Sequence, residues 1–143
     1  MKSQRFGIEI EMTGLTRRSA ALIIAKHFDT GFRHERGVYD TYSVCDQDGR
    51  KWKIVRDASI TPQCGNRFDY DPDYKVEVVS PVCHYEDIET IQSISKKSSS
   101  IFLQNRTSLC GLTFKALKIR SSFEYIIFAI FLNDLAVCFE AST

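Results

Sequence analysis

Phe6-Gly7-Ile8-Glu9-Ile10-Glu11-Met12 alternates strictly between two kinds of side chain, and a period of two is that of a β-strand, whose successive residues fall on opposite faces. Phe6, Ile8, Ile10 and Met12 take one face; Gly7, Glu9 and Glu11 take the other. The apolar face needs a core to cover it. Same-face neighbours on a strand sit about 7 Å apart, so the two glutamates repel each other unless something cationic lies over the sheet. Oxygen ligands so placed suit a hard divalent ion.

Outward from this strand, Thr16 is a good N-cap for a segment from Arg17 to Phe28, rich in Ala20, Ala21, Leu22, Ile23, Ile24 and Ala25. Leu22, Ile23 and Lys26 predict an amphipathic helix with one side on a sheet. The polar, glycine-dotted stretch from Asp29 to Gly49 carries two candidate short strands, Gly37-Val38-Tyr39 and Tyr42-Ser43-Val44. Trp52-Lys53-Ile54-Val55-Arg56 reads as a further strand, with Trp52 in the core. Pro62, Gly65, Asn66, Asp69, Asp71, Pro72 and Asp73 make Thr61–Tyr74 a surface loop. Tyr74-Lys75-Val76-Glu77-Val78-Val79 is the third strong strand, closed by Ser80-Pro81 because proline cannot continue a central ladder. Glu86-Asp87 followed by Ile88, Ile91 and Ile94 predicts a second helix, running down at Lys96-Lys97 into Ser98-Ser99-Ser100. The fold expected is α+β, with a mostly antiparallel sheet, helices on one face and polar residues on the other.

The 143 residues suffice for one domain, and 19 basic side chains nearly cancel 18 acidic ones. No net field therefore advertises a nucleic acid or an anionic membrane as partner. The most apolar stretch, Tyr125 to Leu132, falls short of the ~20 residues of a membrane span. Met1-Lys2-Ser3-Gln4-Arg5 runs straight into the first strand without an apolar signal region, so a cytoplasmic protein is expected. Cys45, Cys64, Cys83, Cys110 and Cys138 are odd in number and scattered, which suits reduced thiols better than a disulfide framework or zinc. There is no Gly-rich phosphate loop, so a nucleotide would be held by side chains and metal.

Three motifs, Phe6-Gly7-Ile8-Glu9-Ile10-Glu11, then Trp52 with Asp57-Ala58-Ser59-Ile60, then Val76-Glu77-Val78-Val79-Ser80-Pro81, resemble the amidoligase family in order and separation, over roughly residues 5–112. The resemblance implies a fold like the N-terminal part of a glutamine synthetase-like catalytic domain, similar also to glutamate–cysteine ligase. It implies an ATP-dependent carboxylate–amine ligase that forms an amide through an acyl phosphate, with small-molecule or peptide acids and amines as substrates. Glu9, Glu11 and Glu77 are then ligands of Mg2+ or Mn2+ bridging the ATP phosphates. Asp57 and Ser59 match the family's Asp-x-Ser element, and Arg56 beside them meets phosphate or a substrate carboxylate.

The likeness stops at the expected end of the pattern. Asn105 and Cys110-Gly111-Leu112 stand where an asparagine and a Cys-Gly are expected, but Thr113-Phe114-Lys115 replaces a His-x-His pair. His27, His34 and His84 all lie upstream. Residues 1–112 are thus read as the N-terminal part of the domain. Residues 113–143 are an unassigned tail for which a reading-frame slip in or just before Cys110-Gly111 is an economical explanation, leaving a fragment without the C-terminal half and of doubtful activity. Plainer readings stand beside these: Glu9 and Glu11 as the solvated face of an edge strand, Asp57-Ala58-Ser59 as a turn closed by a side-chain hydrogen bond, Arg56 as partner of a nearby acid. Two other functions use the same acids. One is a two-metal nuclease or phosphohydrolase, which the absence of a lysine two residues after Glu77 disfavours; the other is a non-catalytic remnant binding metal or a protein partner.

Overall fold

The computed structural model describes residues 5–61, 63–64, 67–68, 71–104, 117–121 and 125–128, with side chains for 5–61 and 71–98. The strands are β1 (Phe6–Met12), β2 (Phe32–Arg36), β3 (Thr41–Cys45), β4 (Lys51–Val55), β5 (Gln63–Cys64), β6 (Arg67–Phe68), β7 (Val76–Val79), β8 (Leu117–Ser121) and β9 (Tyr125–Phe128). The helices are α1 (Arg17–Phe28) and α2 (Ile88–Gln104). Seven strands form one sheet in the order β2-β3-β4-β7-β1-β8-β9, each adjacent pair antiparallel, while β5 and β6 make a separate two-stranded ribbon. The fold is α+β.

Alternation along β1 does what its sequence requires. Ile8, Ile10 and Met12 are buried together with Val44 of β3, Trp52 and Ile54 of β4, and Val76 and Val78 of β7. Over them lie Ala20, Ala21, Ile24, Ala25 and Phe28 of α1 and Ile91 and Ile94 of α2. The alanines let α1 come close to the sheet, and Phe28 meets Trp52 with ring centroids 5.5 Å apart. Leu22 was expected on that side but is exposed, because Ala21, Ile24 and Ala25 already fill the contact stripe. Thr16 is the N-cap, its hydroxyl accepting from Ser19 N at 3.2 Å.

Three local expectations need correction. Gly37-Val38-Tyr39 is the tip of the β2–β3 hairpin, since Arg36, Gly37 and Asp40 all have positive φ, which breaks a strand. The strand of that hairpin is β2, whose charged Arg33-His34-Glu35-Arg36 hid its pairing with β3. The chain before β7 forms a short 3-10 turn, Pro72–Tyr74, capped by Asp71, so the strand begins at Val76. Finally, α2 continues past Ser98 to Gln104; the Ser98 hydroxyl donates to Ile94 O at 2.9 Å, which lets a serine sit within the helix.

The β3–β4 hairpin is tied to the start of α2 by charge. Buried Asp46 accepts from Asp48 N, Arg50 N and Arg50 Nε, and Trp52 Nε1 reaches it at 3.4 Å. Arg50 grips both oxygens of Asp87 at 2.9 Å, and Asp87 accepts in turn from His84 N at 2.7 Å. The Arg50 hydrogen bonds are the main cause holding the Asp87 carboxyl below its ordinary range, while the two carboxylates push Arg50 up. A depressed carboxyl stabilises the fold above its unfolded pKa, and the gain is lost as pH falls through the folded value. Asp87→Asn is therefore expected to cost roughly 2 kcal/mol at pH 7. In thermal melts its gap to the wild type should close below about pH 4; a gap independent of pH would contradict the pairing.

Candidate active site on the carboxylate face of the sheet

The side of the sheet away from the helices carries the residues that alternate with the core. Glu11 is the direct register partner of Glu77, and Glu77 of Val55. One step along, Glu9 opposes Val79, Val79 opposes Lys53, Lys53 opposes Ser43, and Ser43 opposes Arg33; on its other flank Glu9 pairs with position 118. Residues directly opposite share a face with Cβ atoms ~5 Å apart. Glu9, Glu11 and Glu77 are thus brought together on one face. Glu11 is 8% exposed, while Glu9 and Glu77 are half-buried.

Ser80-Pro81 has a visible job beside them. Ser80 N donates to Ile8 O at 2.9 Å, but Ile8 N donates to the Ser80 hydroxyl at 2.8 Å. The side chain stands in for the carbonyl where Pro81 turns β7 out of the ladder, and Phe6 then pairs with Cys83 at a shifted register. This fixes β1 next to Glu9. Cys83 is fully buried, and burial pushes its thiol up. With a thiol alkylating agent and peptide mapping, exposed Cys45 should be modified and Cys83 protected in the native state; equal labelling would refute the packing.

Asp57, Ala58 and Ser59 form a turn just past β4. Asp57 Oδ1 accepts from Ser59 N and Oδ2 from Ser59 Oγ, both at 2.8 Å. Lys75 Nζ donates to Ala58 O at 3.1 Å, and Ile60 drops into the interior. Arg56, at the head of the turn, is exposed, its backbone N donating to Tyr39 O at 3.2 Å. The turn sits one register step beyond the row Val55–Glu77–Glu11, so Arg56 and the carboxylates occupy the same end of the sheet.

Two features here escaped the sequence. Arg17, 4% exposed, donates to Asp40 Oδ2 through Nε and Nη2, to Asp73 Oδ1, and to the carbonyl of Pro72 at 2.7 Å. It sews α1 to the β2–β3 hairpin and to the turn preceding β7. Arg17 heads the causes that hold the Asp40 carboxyl low, and His34 Nε2 lies 2.6 Å from that carboxylate. Lys53 is the other, and only the cross-strand register reveals it. Just past β1, the Thr13 hydroxyl is buried with no hydrogen-bond partner among the described residues. Thr13→Val is accordingly expected to gain about 1 kcal/mol in urea unfolding; a loss of that size would show that the hydroxyl has a partner.

Among the described residues no three of the His, Cys, Asp and Glu side chains converge closely enough to hold a metal ion. Nor is any helix of the described residues long and apolar enough to cross a membrane. Fold and face together define an α+β sheet protein with one face under helices and a carboxylate ladder on the other. The chain belongs to the family described as "Putative amidoligase enzyme", whose profile matches residues 2–113. No curated protein and no solved structure matches it.

Proposed function

We propose that the sheet face away from the helices is the metal–nucleotide site of an ATP-dependent carboxylate–amine ligase. The observation that carries this reading is the direct Glu11–Glu77 pairing with Glu9 on the same face. Two facing carboxylates fit Mg2+ or Mn2+, which is commonly bound by one or two carboxylates plus waters and substrate phosphates rather than by an all-protein cage. A bound ion would offset charge on the phosphate oxygens.

Glu11 and Glu77 would hold the ion, with Glu9 contributing from the adjacent step. Arg56, exposed just past β4 and followed by the Asp57–Ser59 turn, would meet a phosphate or the substrate carboxylate. In the reaction a carboxylate oxygen of the acid takes the γ-phosphoryl group of ATP and ADP departs. The amine nitrogen then attacks the acyl carbon, phosphate leaves, and the nitrogen gives up a proton. Substrates are a small-molecule or peptide acid and amine, in a cytoplasmic setting.

The test is ADP release from ATP and Mg2+ over a panel of amino acids, dipeptides and amines. Release that requires both an acid and an amine is expected. Release needing neither would make the protein a phosphohydrolase, and none at all from folded protein a non-catalytic binder. The family match ends at residue 113, where Thr113-Phe114-Lys115 replaces the expected histidine pair. A reading-frame slip near Cys110-Gly111 would account for that. The gene should then continue the family pattern in another frame, and its absence from both other frames would reject the slip.

A further inference from the structure

The face that bears the three glutamates is not acidic throughout. Its other half carries three cations and one acid: Arg33 and Glu35 on β2, and Lys51 and Lys53 on β4, lie there with Ser43. These cations differ in how they are used. Lys51 Nζ is 3.0 Å from Glu35 Oε1, and this contact is the chief reason the Glu35 carboxyl is held low. Arg33 lies at the far side, near the sheet edge formed by β2. Lys53 makes no hydrogen bond or ion pair among the described residues, is exposed, and feels Glu35 only at a distance.

Its position matters more than its freedom. Lys53 opposes Val79, which opposes Glu9, so lysine and glutamate stand in one cross-sheet row with a single apolar side chain between them. Two strand spacings separate them, about 10 Å between backbones. Lys51 of β4 and Glu35 of β2 bridge the same two spacings, across β3, so a lysine stem on β4 is long enough to bring its ammonium over Val79. A group lying there would meet that cation on one side and metal-bound oxygens on the other. Val55, in the next row, extends the apolar floor beside Glu77. An anionic oxygen cluster lying across this floor would be met by carboxylate-held metal at β1 and β7 and by an ammonium at β4. A flexible four-carbon stem with a compact charge suits such a task.

We infer that Lys53 is a phosphate-binding residue of the site, holding the oxygens of a nucleotide's phosphate chain across Val79 from the metal-binding glutamates. This rests on the reading of the face as a metal–nucleotide site and adds to it a residue that none of the three sequence motifs singles out for that role.

Calorimetric titration of the full-length chain with Mn2+ and a non-hydrolysable ATP analogue separates the two claims. Lys53→Met is expected to weaken analogue binding about tenfold or more, Lys53→Arg to restore most of it, and Mn2+ alone to bind both variants as it binds the wild type. Lys26→Met removes the same charge from an exposed position on α1, which covers the opposite face, and should change nothing. Wild-type affinity in Lys53→Met, or an equal loss in Lys26→Met, would overturn the role of Lys53 and leave the metal–nucleotide reading intact. Failure of the folded wild type to bind the analogue would overturn both. Circular dichroism and the fluorescence of Trp52, the single tryptophan, confirm that each variant is folded.

Discussion

Arg17→Met should lose about 2–3 kcal/mol of stability, the cost of removing a buried guanidinium from its hydrogen bonds to carboxylates that are themselves open to solvent. The methionine keeps most of the apolar stem but none of the donors. Asp40, Asp73 and the carbonyl of Pro72 would then lose a buried guanidinium that now bonds all of them. Because these groups belong to the β2–β3 hairpin and the turn before β7, the loss would loosen the end of the sheet where Arg56 and the Glu11–Glu77 pair lie. Urea unfolding followed by Trp52 fluorescence measures it. Arg18→Met is the comparison: Arg18 is exposed, with its guanidinium 5.8 Å from the Phe32 ring centroid, and should cost under about 1 kcal/mol. Equal effects from the two would mean the network contributes little.

Glu11→Gln and Glu77→Gln should each lower substrate-dependent ADP release by about 100-fold or more, corresponding to ~2.7 kcal/mol of lost transition-state stabilisation. The two face one another, so on the proposed reading removal of either charge leaves a single carboxylate to hold the ion. Glu9 is opposed by Val79 and stands one step away. Glu9→Gln should therefore fall less far, by about tenfold. A ranking with Glu9 as the most sensitive position would move the metal toward β8 and away from the Glu11–Glu77 pair.

How far the fold could be read follows from what each segment encodes. β1, β4 and β7 alternate cleanly, so their two faces, the antiparallel sheet and the sharing of one face by Glu9, Glu11 and Glu77 were all legible. β2 was not. It is an edge strand with little to bury, and its order lies in hydrogen bonds to β3 rather than in an apolar pattern. Arg17 looked like an ordinary first residue of a helix, and nothing local marks it as buried, because its partners are 23 and more residues away. Lys53 was hidden for a related reason: its place beside Glu9 depends on the register of β4 with β7 and of β7 with β1. Asp57-Ala58-Ser59 was legible as a turn, and the turn is what its side chains make.

The central claim is that the facing pair Glu11 and Glu77 holds a divalent ion. The most direct test is a Mn2+ titration followed by electron paramagnetic resonance on the folded full-length chain, with and without ATP, comparing wild type with Glu11→Gln/Glu77→Gln. Loss of the free Mn2+ signal on wild-type protein, strengthened by ATP and absent from the double variant, is the expected result. Equal binding by the two proteins, or none by the wild type, would contradict it.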